Sequence, residues 1–184
     1  MKINPSLKLV LVSVPVVIVI FLVVVAMQSS SYHVARSVVI NAPSSVVFPH
    51  VNVLNQWETW SPWSKADPNM KLTYEGPSSG VGASYLWAGN SEVGEGRSTI
   101  TESRANELIR FKLDFFKPMP SAATADFTFK PQSDHTEVTW ANDGEKPFIM
   151  KAMCLFMSMD KMIGGRMASG LVDLKKAVEA TVSK

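Results

Sequence analysis

The sequence predicts a two-layer α+β domain carried behind one membrane-spanning helix. Three observations lead there: an uncharged apolar run over residues 9–27, a central series of short alternating segments, and a change to helical period after Phe148. The 184 residues suffice for one domain with its own core and little more. Hydrophobic residues make up 46% and charged residues 18%, too apolar for a disordered chain, and most of the excess lies in the first 27 positions. Lys2 and Lys8 alone account for the net charge of +2, because residues 28–184 hold 16 charges of each sign. A neutral domain without a basic block is not built to hold nucleic acid.

Residues 9–27 contain no charge, and 15 of these 19 are Val, Ile, Leu or Phe. As a helix they would rise roughly 28 Å, close to the ~30 Å hydrocarbon core of a bilayer. Their transfer into lipid gains at most roughly 5–9 kcal/mol. The β-branched run is a mediocre helix former in water, but lipid forces the backbone to bond to itself, and Pro15 is tolerable there. Lys2 and Lys8 precede the run, and His33 and Arg36 are the nearest basic residues after it. The positive-inside bias therefore expects a single-pass membrane protein with a cytoplasmic N-terminus and an extracytoplasmic domain, periplasmic in a bacterium. A cleaved signal peptide, with Val24 and Ala26 at the cleavage site, is the alternative; the apolar run is longer than such peptides need. The expected organisation is a tail at 1–8, a transmembrane anchor at 9–27, a linker at 28–31 and a domain at 32–184.

Within the domain, residues 32–41 read as a β-branched strand. Pro43 and its serine neighbours then signal a helix entry, with Val46, Val47, Val51 and Leu54 as a short apolar face that Pro49 keeps brief. Residues 57–63, WETWSPW, read as a loop or broken turn. Six strands follow at 70–74, 83–87, 92–103, 107–116, 122–130 and 136–142, each bounded by turn residues. Ile109, Phe111, Leu113 and Phe115 alternate with polar partners, as do Ala125, Phe127 and Phe129. The short links imply an antiparallel meander. Residues 148–182 turn helical in two pieces, with Gly164-Gly165 as the weak point; Met167, Leu171, Leu174 and Val178 then share one face.

Several segments carry a family likeness: Ile40-Asn41-Ala42-Pro43 followed by Val47-Phe48, Trp57-x-x-Trp60-Ser61-Pro62-Trp63, Gly80-Val81-Gly82-Ala83 with Trp87, Gly94-Glu95-Gly96, Thr136-Glu137-Val138-Thr139-Trp140, and Gly170-Leu171-x-x-Leu174-Lys175. In this order, over residues 32–182, the chain resembles the START/polyketide-cyclase-like (SRPBCC) superfamily, in its polyketide cyclase/dehydrase and lipid-transport branch. The resemblance implies the helix-grip fold, a curved antiparallel sheet wrapped on a long C-terminal helix. It also implies a hydrophobic ligand held between the two. Some members are aromatase/cyclases and others transfer lipids, so it does not by itself imply catalysis.

Catalytic and metal motifs are sparse. His33, His50 and His135 are too far apart to form a ligand pair, and Cys154 is the only cysteine, so neither a metal site nor a cofactor is expected. Gly80-x-Gly82 and Gly94-x-Gly96 flank strands and do not open helices, which makes them turn glycines and not phosphate loops. Glu95 and Arg97 share a strand face, where they would pair as ions; if that face is interior they become the polar candidates of a pocket. The candidate pocket residues are Trp60, Trp63, Tyr85, Trp87, Phe111, Leu113, Phe127, Trp140, Met153 and Met157. The methionines between 150 and 167 suit a wall that adapts to apolar shapes, a plain core, or a face docked on a bilayer. Burying about 300 Å² of apolar ligand gains roughly 7 kcal/mol before association costs, enough for micromolar binding without any charged residue. The expectation is a non-catalytic protein that binds a hydrophobic small molecule or lipid. The alternatives are a cyclase/dehydrase-type enzyme using Glu95, Arg97 or Tyr85, and an interaction module with a filled interior. The sequence sets neither the ligand nor the oligomeric state.

Overall fold

The computed structural model describes residues 5–182, and within its first helix the side chains of Leu11 and 13–27. The expected tail at 1–8 and the last two positions of the expected domain fall wholly or partly outside the described residues. Helix α1 (Pro5–Met27) runs through Pro15 without a break. Among the residues whose side chains are described, which in α1 form an unbroken stretch only over 13–27, no helix is long and apolar enough to cross a membrane.

The domain begins at once with β1 (Ser31–Ile40), followed by α2 (Ser44–Asn52), a 3-10 turn (Leu54–Thr59) and α3 (Pro62–Ala66). Six further strands follow: β2 (Lys71–Glu75), β3 (Ser84–Ala88), β4 (Glu95–Arg104), β5 (Leu108–Lys117), β6 (Ser121–Gln132) and β7 (His135–Glu145). They form a seven-stranded sheet in the order β1-β7-β6-β5-β4-β3-β2, with every neighbouring pair antiparallel. The alternation read from the sequence sets the faces. Ala123, Ala125, Phe127 and Phe129 of β6 are buried while Thr124, Asp126 and Thr128 alternate with them less buried. Register shifts in β4 after Glu95 and after Ile100 bend that strand, giving the sheet a concave face.

The chain ends with α4 (Phe148–Cys154), a π-helical turn (Asp160–Gly164) and α5 (Gly165–Val182). Met167, Leu171, Leu174 and Val178 of α5 are buried against the sheet, the apolar stripe expected from their spacing. The fold is therefore α+β of the helix-grip type.

Residues 57–63 take the broken-turn form: the 3-10 turn covers Trp57, and Pro62 starts α3 behind Ser61, whose Oγ accepts from the Trp63 N–H at 3.3 Å. Two local expectations need correction. The strand expected from residue 92 starts at Glu95, because Asn90 Oδ1 accepts from the N–H groups of Glu92 and Val93 and holds a turn. The break in the C-terminal helical region falls between Cys154 and Asp160, with Gly164 at the end of the π turn that leads into α5. Gly164 lies under Arg36, where a Cβ would collide with the guanidinium.

Leu174 is fully buried at the middle of the α5 seam. Leu174→Ala should cost about 2–5 kcal/mol of unfolding free energy in urea titration. A loss under about 1 kcal/mol would mean that α5 is not seated on the sheet as described.

Candidate functional site

A single helix is too narrow to cover a seven-stranded concave face. Helix α5 packs chiefly on β1, at one side of the sheet. The 3-10 turn, α3 and the segment around the π turn arch over part of the remainder. Beneath them lies a hollow of about 270 Å³. Its floor is built by Tyr85 and Trp87 of β3, Phe111, Leu113 and Phe115 of β5, Ala125 of β6 and Trp140 of β7. Leu54, Trp57 and Trp63 form the roof, and Met150, Met159, Met162, Ile163 and Met167 close one side.

Trp57 fixes the height of this roof. Its ring lies 4.5 Å from Trp60, 5.2 Å from Phe111, 5.5 Å from Phe127 and 6.2 Å from Trp140, centroid to centroid. Both indoles are tied to α2: Trp57 Nε1–H donates to the Val51 carbonyl at 2.9 Å, and Trp60 Nε1–H to the His50 carbonyl at 3.0 Å. Edge-on aromatic contacts of this kind add about 0.5–1.5 kcal/mol each beyond their burial. At the far end, the Trp87 indole lies across Gly96 so closely that a Cβ there would collide with it, and its edge meets Phe115 at 5.6 Å. Arg166 at the start of α5 stacks over Trp63 at 5.1 Å and pairs with Glu92 on the β3–β4 turn.

Polar groups on the wall are few; two tyrosine hydroxyls are paired, while the Trp140 indole N–H is buried without a partner. The Tyr74 hydroxyl donates to Glu58 Oε1 at 2.7 Å, and the Tyr32 hydroxyl to Asn142 Oδ1 at 2.9 Å. Lys117, at the rim, pairs with Glu95 at 2.8 Å. All three tyrosines of the chain border the hollow, and all three phenols are held well above their ordinary range. Burial pushes Tyr85 up to about 12. Burial, with the nearby Asp143 carboxylate, does the same for Tyr32, to about 12. Tyr74 is raised by desolvation and then by its bond to Glu58. These groups are neutral hydrogen-bonding hydroxyls and not a converging acid–base pair. Among the described residues no cluster of His, Cys, Asp and Glu could hold a metal ion.

Of the residues singled out from the sequence, Trp63, Tyr85, Trp87, Phe111, Leu113 and Trp140 border the hollow. Trp60 and Phe127 are fully buried behind that wall, in the packed core. Met153 and Met157 are about half exposed and face outward. Glu95 and Arg97 do not pair with each other: Glu95 meets Lys117, and Arg97 meets Glu75 at 3.1 Å. They lie on the convex face, because Gly96, Ser98 and Ile100 take the buried positions of β4. Sequence reasoning missed Trp57, Glu58, Tyr74, Met159 and Met162. Leu72 and Tyr74 alternate on one face of β2, a signal that was available; nothing local marks Met159.

A concave sheet gripping a C-terminal helix around an oily hollow defines the helix-grip class of ligand-binding domains. The chain belongs to the polyketide cyclase/dehydrase and lipid transport family, whose sequence profile matches residues 31–179. Its fold is a hydrophobic-ligand-binding one. No curated protein matches it in sequence. Among solved structures it is similar to truncated norcoclaurine synthase from Thalictrum flavum, with TM-score 0.64 and 11% identity over 82% of this chain and 96% of that one. It is also similar to a hypothetical protein from Helicobacter pylori (TM-score 0.60, 11% identity, 80% and 88% covered) and to a protein from Nitrosospira multiformis (0.57, 20%, 83% and 100%). At these identities the likeness is one of fold.

Raised phenol values favour the neutral form in the native state. That contribution is whole below the ordinary phenol range near pH 10 and is lost as pH rises toward about 12, the value for Tyr85. Phenolate absorbance should therefore stay low in the folded protein at pH 10. Stability should fall above that pH, by up to about 1.4 kcal/mol per pH unit for the buried Tyr85. Ordinary phenol titration at pH 10 without unfolding would contradict this placement of the tyrosines.

Proposed function

We propose that this chain binds one hydrophobic small molecule, or a single acyl chain of a lipid, in the hollow between the sheet and the roof made by the 3-10 turn, α3 and the segment around the π turn, with Met167 of α5 at its side, and that α1 holds this site at a membrane. The observation that carries the binding reading is the hollow itself, about 270 Å³ walled by aromatic rings and methionines. Ligand pockets usually span about 300–1,000 Å³. The size therefore suits one compact guest and not a whole two-chain phospholipid. Oily walls supply affinity through burial, while Tyr74–Glu58 and Tyr32–Asn142 offer a polar end group somewhere to bond. The cyclase/dehydrase alternative loses Glu95 and Arg97, which lie outside the hollow.

Anchoring rests on chemistry of a different kind. Residues 9–27 carry no charge, and α1 at 23 residues would rise about 34 Å. Val14, Val17, Ile18, Ile20, Phe21 and Val24 are all exposed, so the helix is apolar around its circumference. A helix with no polar face belongs in lipid. The lysines before it favour a cytoplasmic N-terminus and an extracytoplasmic domain, periplasmic in a bacterium.

Binding is tested with an apolar fluorophore such as N-phenyl-1-naphthylamine. Leu113→Trp puts an indole into the hollow and should weaken binding at least roughly tenfold, or about 1.4 kcal/mol. Equal binding by this variant and the parent, or no binding by either, would remove the ligand reading. Topology is read by adding protease to cells whose outer layer has been permeabilised. The domain should be digested, and full protection would reverse the orientation.

A further inference from the structure

Helix α4 contains Phe148, Ile149, Met150 and Met153, yet none of its residues is buried. The turn after it adds Met157, half exposed, and Phe156, 84% exposed. Met150 and Cys154 are partly buried against the core, but the opposite side of this helix gains little by folding against its own domain. Two further observations say what covers it. First, α4 packs against α1, whose Val25 is fully buried while Met27 stands 81% exposed. The oily face of α4 thus continues directly from the end of the apolar α1. Second, the spacer is only residues 28–30, and the Lys146 N–H donates to the Ser30 carbonyl at 2.6 Å, tying the start of the α4 segment to the end of that spacer. The domain has no slack with which to stand away from whatever holds α1.

We infer that the outer face of residues 148–157 is embedded in the surface of the leaflet into which α1 runs, so that the hollow opens beside lipid. This rests on the anchoring reading given above. Phe148, Ile149, Met153, Phe156 and Met157 form the embedded side. Met150, on the same helix, lines the hollow, as do Met159 and Met162 beyond the turn. One short segment therefore has lipid on one side and the guest on the other. Lys146, Lys151 and Lys161 occur along it, with no ion pair among the described residues, and suit the phosphate headgroups of anionic lipid. Amphipathic interfacial elements sit with their apolar side about 5–10 Å into the headgroup–acyl boundary. The π turn ending at Gly164 joins this segment to α5. Loading then proceeds sideways from the leaflet, without passage through water.

The experiment uses the full chain in vesicles of phosphatidylethanolamine and phosphatidylglycerol. With Cys154→Ser as background, a nitroxide is attached in turn to Phe156→Cys, Ile18→Cys and Val81→Cys, all exposed positions in the parent. Depth is read from relaxation by oxygen against a water-soluble nickel chelate. The label at 156 should lie about 5–10 Å inside the headgroup boundary, the label at 18 deep in lipid and the label at 81 in water. A water-exposed label at 156 with a buried label at 18 would overturn the embedded face and leave the anchor standing. A water-exposed label at 18 would overturn both.

Discussion

The structure depends on the aromatic prop at Trp57. The sheet presents one broad apolar face, and α5 covers only the side near β1 and β7. Without support the remaining roof would collapse onto β5 and β6 and expel any space. Trp57 prevents this by standing edge-on to Phe111 and Phe127 while its N–H is bonded to the backbone of α2. Rigid rings with satisfied donors resist the collapse that flexible side chains would permit. The hollow is thus a product of packing on one side of a pillar and the absence of a second covering helix on the other.

That pillar also explains why so few polar groups face the space. The concave side of each strand is committed to the core, so the charged residues of β4 and β5, Lys117 at the rim excepted, are turned to the convex face. There they form an ion network, as in the paired contacts of Arg110 with Asp126 and Glu102. Tyrosine is the compromise: its ring packs and its hydroxyl finds one partner. A wall of this composition would select for shape and oiliness first and for an end group second.

Much of the fold was legible in the sequence because strand alternation and the α5 stripe are local signals. All seven strands lie within a few residues of where their patterns put them. The site was legible only where it inherits those patterns, as at Phe111, Leu113 and Trp140. Trp57 and Trp60 stand three apart on one tight turn, and sequence cannot say which reaches the hollow and which the core. Met153 and Met157 were expected inside because helical spacing was extended past Cys154. The helix stops there, the phase is lost, and Met159 and Met162 take the inner positions instead. The convex placement of Glu95 and Arg97 follows from Trp87 needing room over Gly96, a contact between neighbouring strands that no single segment reveals.

The side of the hollow built from Met150, Met159, Met162 and Met167 has a chemical consequence. Thioether sulfur is soft enough to mould to many guests, and it is also the group most readily converted to a sulfoxide. Oxidation of any of these four would set a strong dipole into an otherwise greasy wall while leaving the backbone untouched. The proposed binding would thereby depend on the oxidation state of these four side chains, the same ones whose pliability lets the wall mould.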